Sequence, residues 1–454
     1  MKLRYFSYMN LRSCAVLALM GMLPHLGFSQ NEKMEWFGDA KLGIFIHWGI
    51  YAVDGTDESW AFYNKKVPYP VYMSQLNRWK AENYHPEDWA KLIKSSGAQY
   101  TVLTSKHHDG VALWDTKAVP EKSDRKSLPL SAAKRSPAKR DLFTPFAKAV
   151  RAEGLKLGVY YSILDWSHPD YPGFTKDSTR YQIKNDPERW ERFCRYNEQQ
   201  LTELMVEQNP DLWWFDGGWE HSAAEWKAEQ LGTMLRKHNE AVIINARLPE
   251  QGDYDTPEQN FPVLRPKEKY WELCLTTNNN WGFQFKDNNW KTSQEIITIF
   301  ADVIANGGNL LLDIGPMADG TIPPQQVQIL QDLGRWTSKH NEAIFGTVGG
   351  IGPGHFYGPS TLSKDSTSLY LFLPAHASGD VHVRGLKSDV ESIEVLGANT
   401  QVGSHVVGKI SWSDKPGLLF IDLPKDQAWQ DPIMSVIKIK LKGKLKLYQG
   451  SGGL

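Results

Sequence analysis

The chain has 454 residues and a formal net charge of −1, a length that suits one large domain plus a smaller one. So balanced a charge excludes the electrostatic footprint of a nucleic-acid or membrane-surface binder. Tryptophan, tyrosine and phenylalanine number 18 each; the tryptophan count is high, and flat aromatic faces serve both cores and sugar rings.

Lys2, Arg4 and Arg12 precede an apolar run from Cys14 to Leu23 that is too short for a stable anchor, and Gly27 and Ser29 offer small residues for cleavage near Gln30. This is the pattern of an export signal over residues 1–30, so the mature chain is expected in the periplasm or outside the cell with no membrane anchor. Cys194 and Cys274 would then remain. Two cysteines are no disulfide framework, and buried free thiols are expected.

The mature chain repeats one scheme, in which a short apolar run ends on polar residues. Lys41 to Trp48 delivers His47, and Tyr100 to Gly110 delivers His107 and His108. Leu155 to Ser162 carries Tyr160 and Tyr161, and Leu212 to Gly218 delivers Asp216 behind Trp213, Trp214 and Phe215. Ala241 to Arg247 ends on Arg247, and Asn309 to Pro316 closes the series. Runs of this length bounded by glycine read as buried strands. Between them lie helix signals, such as Pro86 with Trp89, Leu92 and Ile93 before Gly97, and Asp186-Pro187 opening a long helix. Fewer than eight strand–helix units are clear, and strands between 250 and 300 are not evident. After about Gly350 short alternating runs replace the helical period.

This order predicts an α/β fold, a (β/α)8-like barrel of the TIM type with some irregularity, followed by an antiparallel β-sandwich. The expected boundaries are 31–350 for the barrel and 351–454 for the sandwich. No Gly-x-Gly-x-x-Gly opens a helix, which disfavours a doubly wound sheet. The loaded strand ends place the chemistry at the C-terminal mouth of the barrel.

Glycoside cleavage needs two carboxyl groups across the scissile bond. Asp216 is the first candidate, and Glu258 and Glu272 compete to be the second. Glu272 follows Trp271, and a carboxyl group against an indole gains the raised pKa that an acid requires. His47, His107 and His108 suit sugar hydroxyls. Adjacent histidines on a strand point to opposite faces and chelate poorly. No His-x-x-x-His or Cys-x-x-Cys accompanies them, so neither metal nor cofactor is expected. The nucleophile elbow of an esterase is absent as well.

With these residues assembled, the chain resembles the α-L-fucosidases of glycoside hydrolase family 29. The carrying segments are Gly43 to Gly49, Lys106 to Gly110, Gly158 to Ser162, Trp214 to Gly217, Trp281-Gly282-Phe283 and Gly308 to Pro316, in family order over about residues 34 to 345. The resemblance implies exo-acting release of terminal α-L-fucose from oligosaccharides or glycoconjugates by a retaining double displacement. It assigns Asp216 as nucleophile and Glu258 as acid/base, with Glu272 in reserve. It places His47, Glu58, Trp60, His107, His108, Trp214, Arg247, Trp281 and Phe283 around the sugar, with Phe283 against the C6 methyl. One of Tyr160 and Tyr161 should join them, since strand neighbours face opposite ways. The competing readings are a barrel glycosidase for another sugar, such as an α-L-galactoside, and a non-catalytic fucose-binding protein.

Overall fold

The computed structural model describes residues 30–122, 127–263, 266–375, 380–398, 400–426 and 428–450. The expected export signal falls, but for Gln30, outside the described residues. Seven parallel strands form the central sheet: β1 (Leu42–Ile46), β2 (Tyr100–Lys106), β3 (Lys156–Ser162), β4 (Leu212–Asp216), β5 (Ile243–Ile244), β6 (Glu272–Thr276) and β7 (Asn309–Ile314). Their spatial order is β5-β4-β3-β2-β1-β7-β6. Parallel strands covered on both faces need apolar residues at every position, which is why they read as continuous runs.

The alternation along each strand sorts into two clusters. Phe45, Tyr100, Val102, Tyr160, Leu212, Trp214, Cys274 and Leu311 pack together inside the curled sheet, closed at the bottom by Met34, Phe37 and Ala40 of the helix Gln30–Ala40. Ile44, Ile46, Leu103, Val159, Trp213 and Phe215 pack outward with Phe146, Phe300 and Leu333 of the flanking helices. His47 and Asp216 have the same parity as Phe45 and Trp214, so both turn inward at the mouth.

β6 lies in the stretch between 250 and 300 where no strand is evident from sequence. The edges of the sheet, β5 and β6, are spanned by the stretch 253–259 through the isolated bridges Asn245↔Tyr254, Asp255↔Trp271 and Glu258↔Cys274. This segment takes the place of an eighth strand. Asp and Pro at 255 and 257 are poor ladder formers, which is why it does not read as one.

The C-terminal region holds a six-stranded and a three-stranded antiparallel sheet. Its core includes Phe356, Leu369, Leu371, Val383, Ile437 and Ile439. It is fastened to the helix Pro324–Lys339, where the Trp336 indole donates to Met434 O at 2.8 Å and Lys339 pairs with buried Asp431 at 2.9 Å. Cys194 and Cys274 are free. No described helix is long and apolar enough to cross a membrane.

Candidate active site

A cavity of about 310 Å³ opens at the C-terminal ends of the strands, lined by Phe45, His47, Trp60, His107, Tyr160, Trp214, Asp216, Trp219, Arg247, Glu258 and Trp281. Its size is at the lower end for small-molecule sites. Six of these side chains are aromatic carbocycles or indoles, so the walls are apolar faces interrupted by a few placed polar groups.

Asp216 lies at the centre and is 7 % exposed. Arg247 Nη1 donates to its Oδ1 at 2.9 Å, and the Tyr160 hydroxyl donates to its Oδ2 at 2.8 Å. Burial alone would push this carboxyl up; the Arg247 charge, with the hydrogen bonds from Arg247 and Tyr160, outweighs it and holds Asp216 below the usual carboxylate range. Two glycines make the placement possible. Gly217 has φ +83°, and a Cβ there would meet Leu164 at 2.5 Å; a Cβ on Gly218 would lie 2.1 Å from Arg247 O. The chain therefore turns away at once after Asp216 and lets the Arg247 segment come close.

Arg247 also donates through Nη2 to Glu258 Oε2 at 2.6 Å, and its guanidinium sits 4.5 Å from the Trp214 ring centre. One guanidinium thus separates the two carboxylates. Asp216 is buried, whereas the Glu258 side chain is 41 % exposed.

The three histidines each point one nitrogen at a fixed partner. His47 Nδ1 lies 2.7 Å from Asp313 Oδ1, His107 Nδ1 2.6 Å from Ser59 Oγ and His108 Nδ1 2.7 Å from Ser162 Oγ. Ser162 gives its only proton to Leu164 O, so its oxygen must accept from His108 Nδ1–H. That leaves Nε2 of a neutral His108 as an acceptor, 3.5 Å from Asp216 Oδ2. Burial lowers His108 to about 4 and His47 to about 3, so the imidazole of His108 is neutral at pH 7. Burial pushes Asp313 up as it pushes His47 down, so the site disfavours the charged form of each.

The expectation that His107 and His108 diverge is corrected. β2 ends at Lys106, so the strand alternation no longer applies, and the two rings lie 4.2 Å apart, His107 lining the cavity and His108 outside the lining beside Asp216. Tyr160 takes the inward position. Tyr161 is corrected, because its hydroxyl contacts Asn197 and Gln200 on the outer side of the sheet.

Three further expected residues stand outside the cavity lining. Glu272 is fully buried within the barrel, its oxygens taken by the Tyr100 hydroxyl and the Trp214 indole N–H. Burial raises it to about 7, as an acid would need, but no oxygen is left to face a leaving group. Glu58 is buried and accepts from Gly282 N–H at 2.6 Å, so it braces the loop that carries Trp281. Phe283 packs on Phe285, with ring centres 4.9 Å apart, and Trp281 is the aromatic of that loop that reaches the cavity, 5.0 Å from the His47 ring.

Sequence reasoning missed Phe45, Trp219, Asp313, Ser59 and Ser162. Phe45 and Asp313 carried a signal: Phe45 is two residues before His47 on one strand, and Asp313 is an acid inside an apolar run. Among the described residues, no group of three His, Cys, Asp or Glu side chains converges as a metal site.

A family model described as alpha-L-fucosidase matches residues 26–342. The tissue alpha-L-fucosidase of Rattus norvegicus is 28% identical over 468 residues, covering 93% of this chain and 94% of its own. Among solved structures, alpha-L-fucosidase isoenzyme 1 from Paenibacillus thiaminolyticus superposes with a TM-score of 0.80 at 30% identity, covering 91% of this chain and 99% of its own. A fucosidase from Bacteroides thetaiotaomicron, trapped as a covalent intermediate with 2-fluoro-fucosyl fluoride, gives 0.77 at 26% identity over 92% of this chain and 98% of its own.

Proposed function

The chain belongs to the α-L-fucosidases, which are glycoside hydrolases, and from that premise we propose that it releases terminal α-L-fucose by double displacement, with Asp216 as nucleophile and Glu258 as acid/base. Asp216 attacks the anomeric carbon while Glu258 protonates the departing glycosidic oxygen. The C–O bond to the leaving group breaks as an ester bond to Oδ of Asp216 forms. Glu258, now a carboxylate, takes a proton from water, which attacks the same carbon and frees Asp216.

The single observation that carries this reading is the state of Asp216. It is buried in an aromatic cavity of monosaccharide size, yet held ionised by Arg247 and Tyr160. A desolvated, fixed and ionised carboxylate is what a covalent step requires. The relative trapped as a covalent intermediate supports the same chemistry. Glu258 differs in being exposed and on irregular backbone, which suits a group that must leave Arg247 to meet the substrate oxygen.

His47, His107 and His108 hold sugar hydroxyls through the nitrogens that their Asp313, Ser59 and Ser162 partners leave over. Phe45 and Trp281, with ring centres 6.0 Å apart, offer the apolar wall for the C6 methyl. The basic start and short apolar run of residues 1–30 support export to the periplasm or beyond.

The test is turnover of 4-nitrophenyl α-L-fucoside, followed by trapping with 2-fluoro-fucosyl fluoride and peptide mass spectrometry. Label on the peptide containing Asp216 is the expected result. Label elsewhere, or turnover with inversion of the released sugar, removes Asp216 as nucleophile.

A further inference from the structure

Beside the mouth of the fucose cavity lies a second, larger depression of about 670 Å³. Its far bank is the excursion between β3 and the helix Pro187–Gln208, a short hairpin formed by Gly173–Thr175 and Ser178–Thr179. Its near bank is the turn that follows Asp216. Trp219 belongs to the lining of both cavities. The second link is the helical turn Trp60–Tyr63, which gives Trp60 to the fucose cavity and Tyr63 to the depression.

Trp219 is 56 % exposed, an unusual state for an indole three residues past a buried carboxylate. Its ring lies nearly parallel to Trp60, at 11° and 6.5 Å between centres. Its position is fixed from behind, because Glu220 accepts from the Trp166 indole N–H at 3.0 Å and from the Tyr171 hydroxyl. Tyr63 is fixed likewise, stacked on Trp166 at 4.0 Å. Around these rings the lining adds the short hydroxyl side chains Thr175, Ser178 and Thr179 of the hairpin and the Gln182 amide beyond it. Lys176 and Lys184 are offset by Glu220 and Glu225 around the rim, so the depression has no strong charge preference.

We propose that this depression is the binding site for the sugar to which fucose is attached, with Trp219 as the platform that the first leaving-group residue stacks on. This rests on the fucosidase reading and extends it to the substrate class: a fucosylated oligosaccharide with at least two neutral sugars beyond the fucose. Pre-fixed aromatic rings with hydroxyls and an amide around them match the apolar face and the hydroxyl rim of a pyranose, and the continuity through Trp219 leads from the scissile bond into the depression. Substrates that lack those sugars bind only in the fucose cavity.

The experiment compares kcat/KM for 4-nitrophenyl α-L-fucoside with that for the best-cleaved member of a panel of α1,2-, α1,3-, α1,4- and α1,6-fucosylated oligosaccharides. Thr179→Trp, on the exposed hairpin, fills the depression without touching the fucose cavity. It should lower kcat/KM for the oligosaccharide about ten- to a hundredfold, mainly through KM, and leave the aryl fucoside unchanged. Gln182→Ala should act in the same sense and more weakly. Parallel loss on both substrates, or no change on either, overturns the proposal, as does a wild type that cleaves the aryl fucoside and no oligosaccharide. A wild type inactive on both classes is a different result: it removes the fucosidase reading, before any variant is made, and the leaving-group site with it.

Discussion

The two carboxylates of the site stand on opposite kinds of backbone. Asp216 ends a strand paired on both sides, with Ser162↔Asp216 toward β3 and Trp213↔Ile244 toward β5. Glu258 sits in the stretch that spans the gap between β5 and β6, touching β6 at one bridge to Cys274. The first has both oxygens held and is buried; the side chain of the second meets Arg247 among the described residues and is exposed. A nucleophile must sit at bonding distance from one carbon, so a rigid ladder serves it. A proton donor must follow the leaving-group oxygen and later admit water, so looser backbone serves it equally well.

The contrast is broken most severely at Asp216. Asp216→Ala should lower kcat/KM by on the order of 10⁴-fold or more, for aryl fucosides and oligosaccharides alike, since no leaving group removes the need for a nucleophile. Azide should restore some turnover and yield β-fucosyl azide, because the small anion then attacks directly and inverts the centre. Product analysis by NMR decides it; an α-azide from this variant would assign Asp216 another role.

Glu258→Ala should cost less and depend on the leaving group. Loss of a general acid is worth about 10²- to 10⁴-fold, felt in full with a sugar leaving group and far less with 4-nitrophenolate, which departs unprotonated. Azide should accelerate this variant and give α-fucosyl azide by attack on the fucosyl-enzyme. Equal losses on both substrates would mean that Glu258 does not protonate the leaving group.

Arg247 touches both carboxylates, and Arg247→Met tests what joins the two regions. Burial raises the Asp216 carboxyl, and Arg247 is the foremost group opposing it. Without the guanidinium the Asp216 pKa rises, so the acid limb of the kcat/KM profile should move to higher pH, with a loss on the order of 10²-fold at neutral pH. Stability has the matching sign. A carboxylate whose folded pKa is depressed stabilises the fold above its unfolded pKa, and that share fades as pH falls through the folded value. The variant should lack it, and urea titrations across the acid range would show the lost slope. An unshifted acid limb would mean that Arg247 does not set the Asp216 charge.

What could be read from sequence follows the same division. Strand-borne residues were legible because a buried parallel strand must be apolar, so a polar residue at its end stands out: His47, Asp216 and Arg247 all emerged this way. Parity also limited Tyr160 and Tyr161 to one inward member, though only the pairing with β4 could say which. The irregular seam was opaque. β6 was hidden because its sequence begins with an acid, Glu272, that is buried and paired with Tyr100 and Trp214; no local pattern announces a neutral carboxyl in a barrel interior. Trp219 and Ser59 lie on turns whose direction depends on tertiary contacts, where no period exists to read, and Ser162, though it ends β3, gives no sign in sequence that it will meet His108. Phe283 and Glu58 were placed by family motif and fell one layer behind the cavity, where they support the Trp281 loop.

Glu272 gives the smallest effect on activity and the sharpest separation of the two kinds of carboxyl. Burial raises it from about 4.5 to about 7, the reverse of Asp216. In a folded state that keeps its proton to higher pH than the unfolded chain does, stability is full below the unfolded pKa. It declines as pH rises from about 4.5 to about 7 and is level above that. Glu272→Gln removes the titration and should flatten this window. The amide oxygen can still accept from the Trp214 indole, but the Tyr100 hydroxyl loses its carboxyl acceptor, at a cost of about 1–3 kcal/mol. The variant should therefore be less stable than wild type at pH 4.5, with a deficit that narrows toward pH 7, in chemical denaturation followed by tryptophan fluorescence. Because no oxygen of Glu272 faces the cavity, kcat/KM should change only a few-fold and azide should have no effect. A loss comparable to that of Glu258→Ala, with azide rescue, would exchange their roles. The proton donor would then be on the rigid ladder beside the nucleophile, and the seam would be left with a structural task alone.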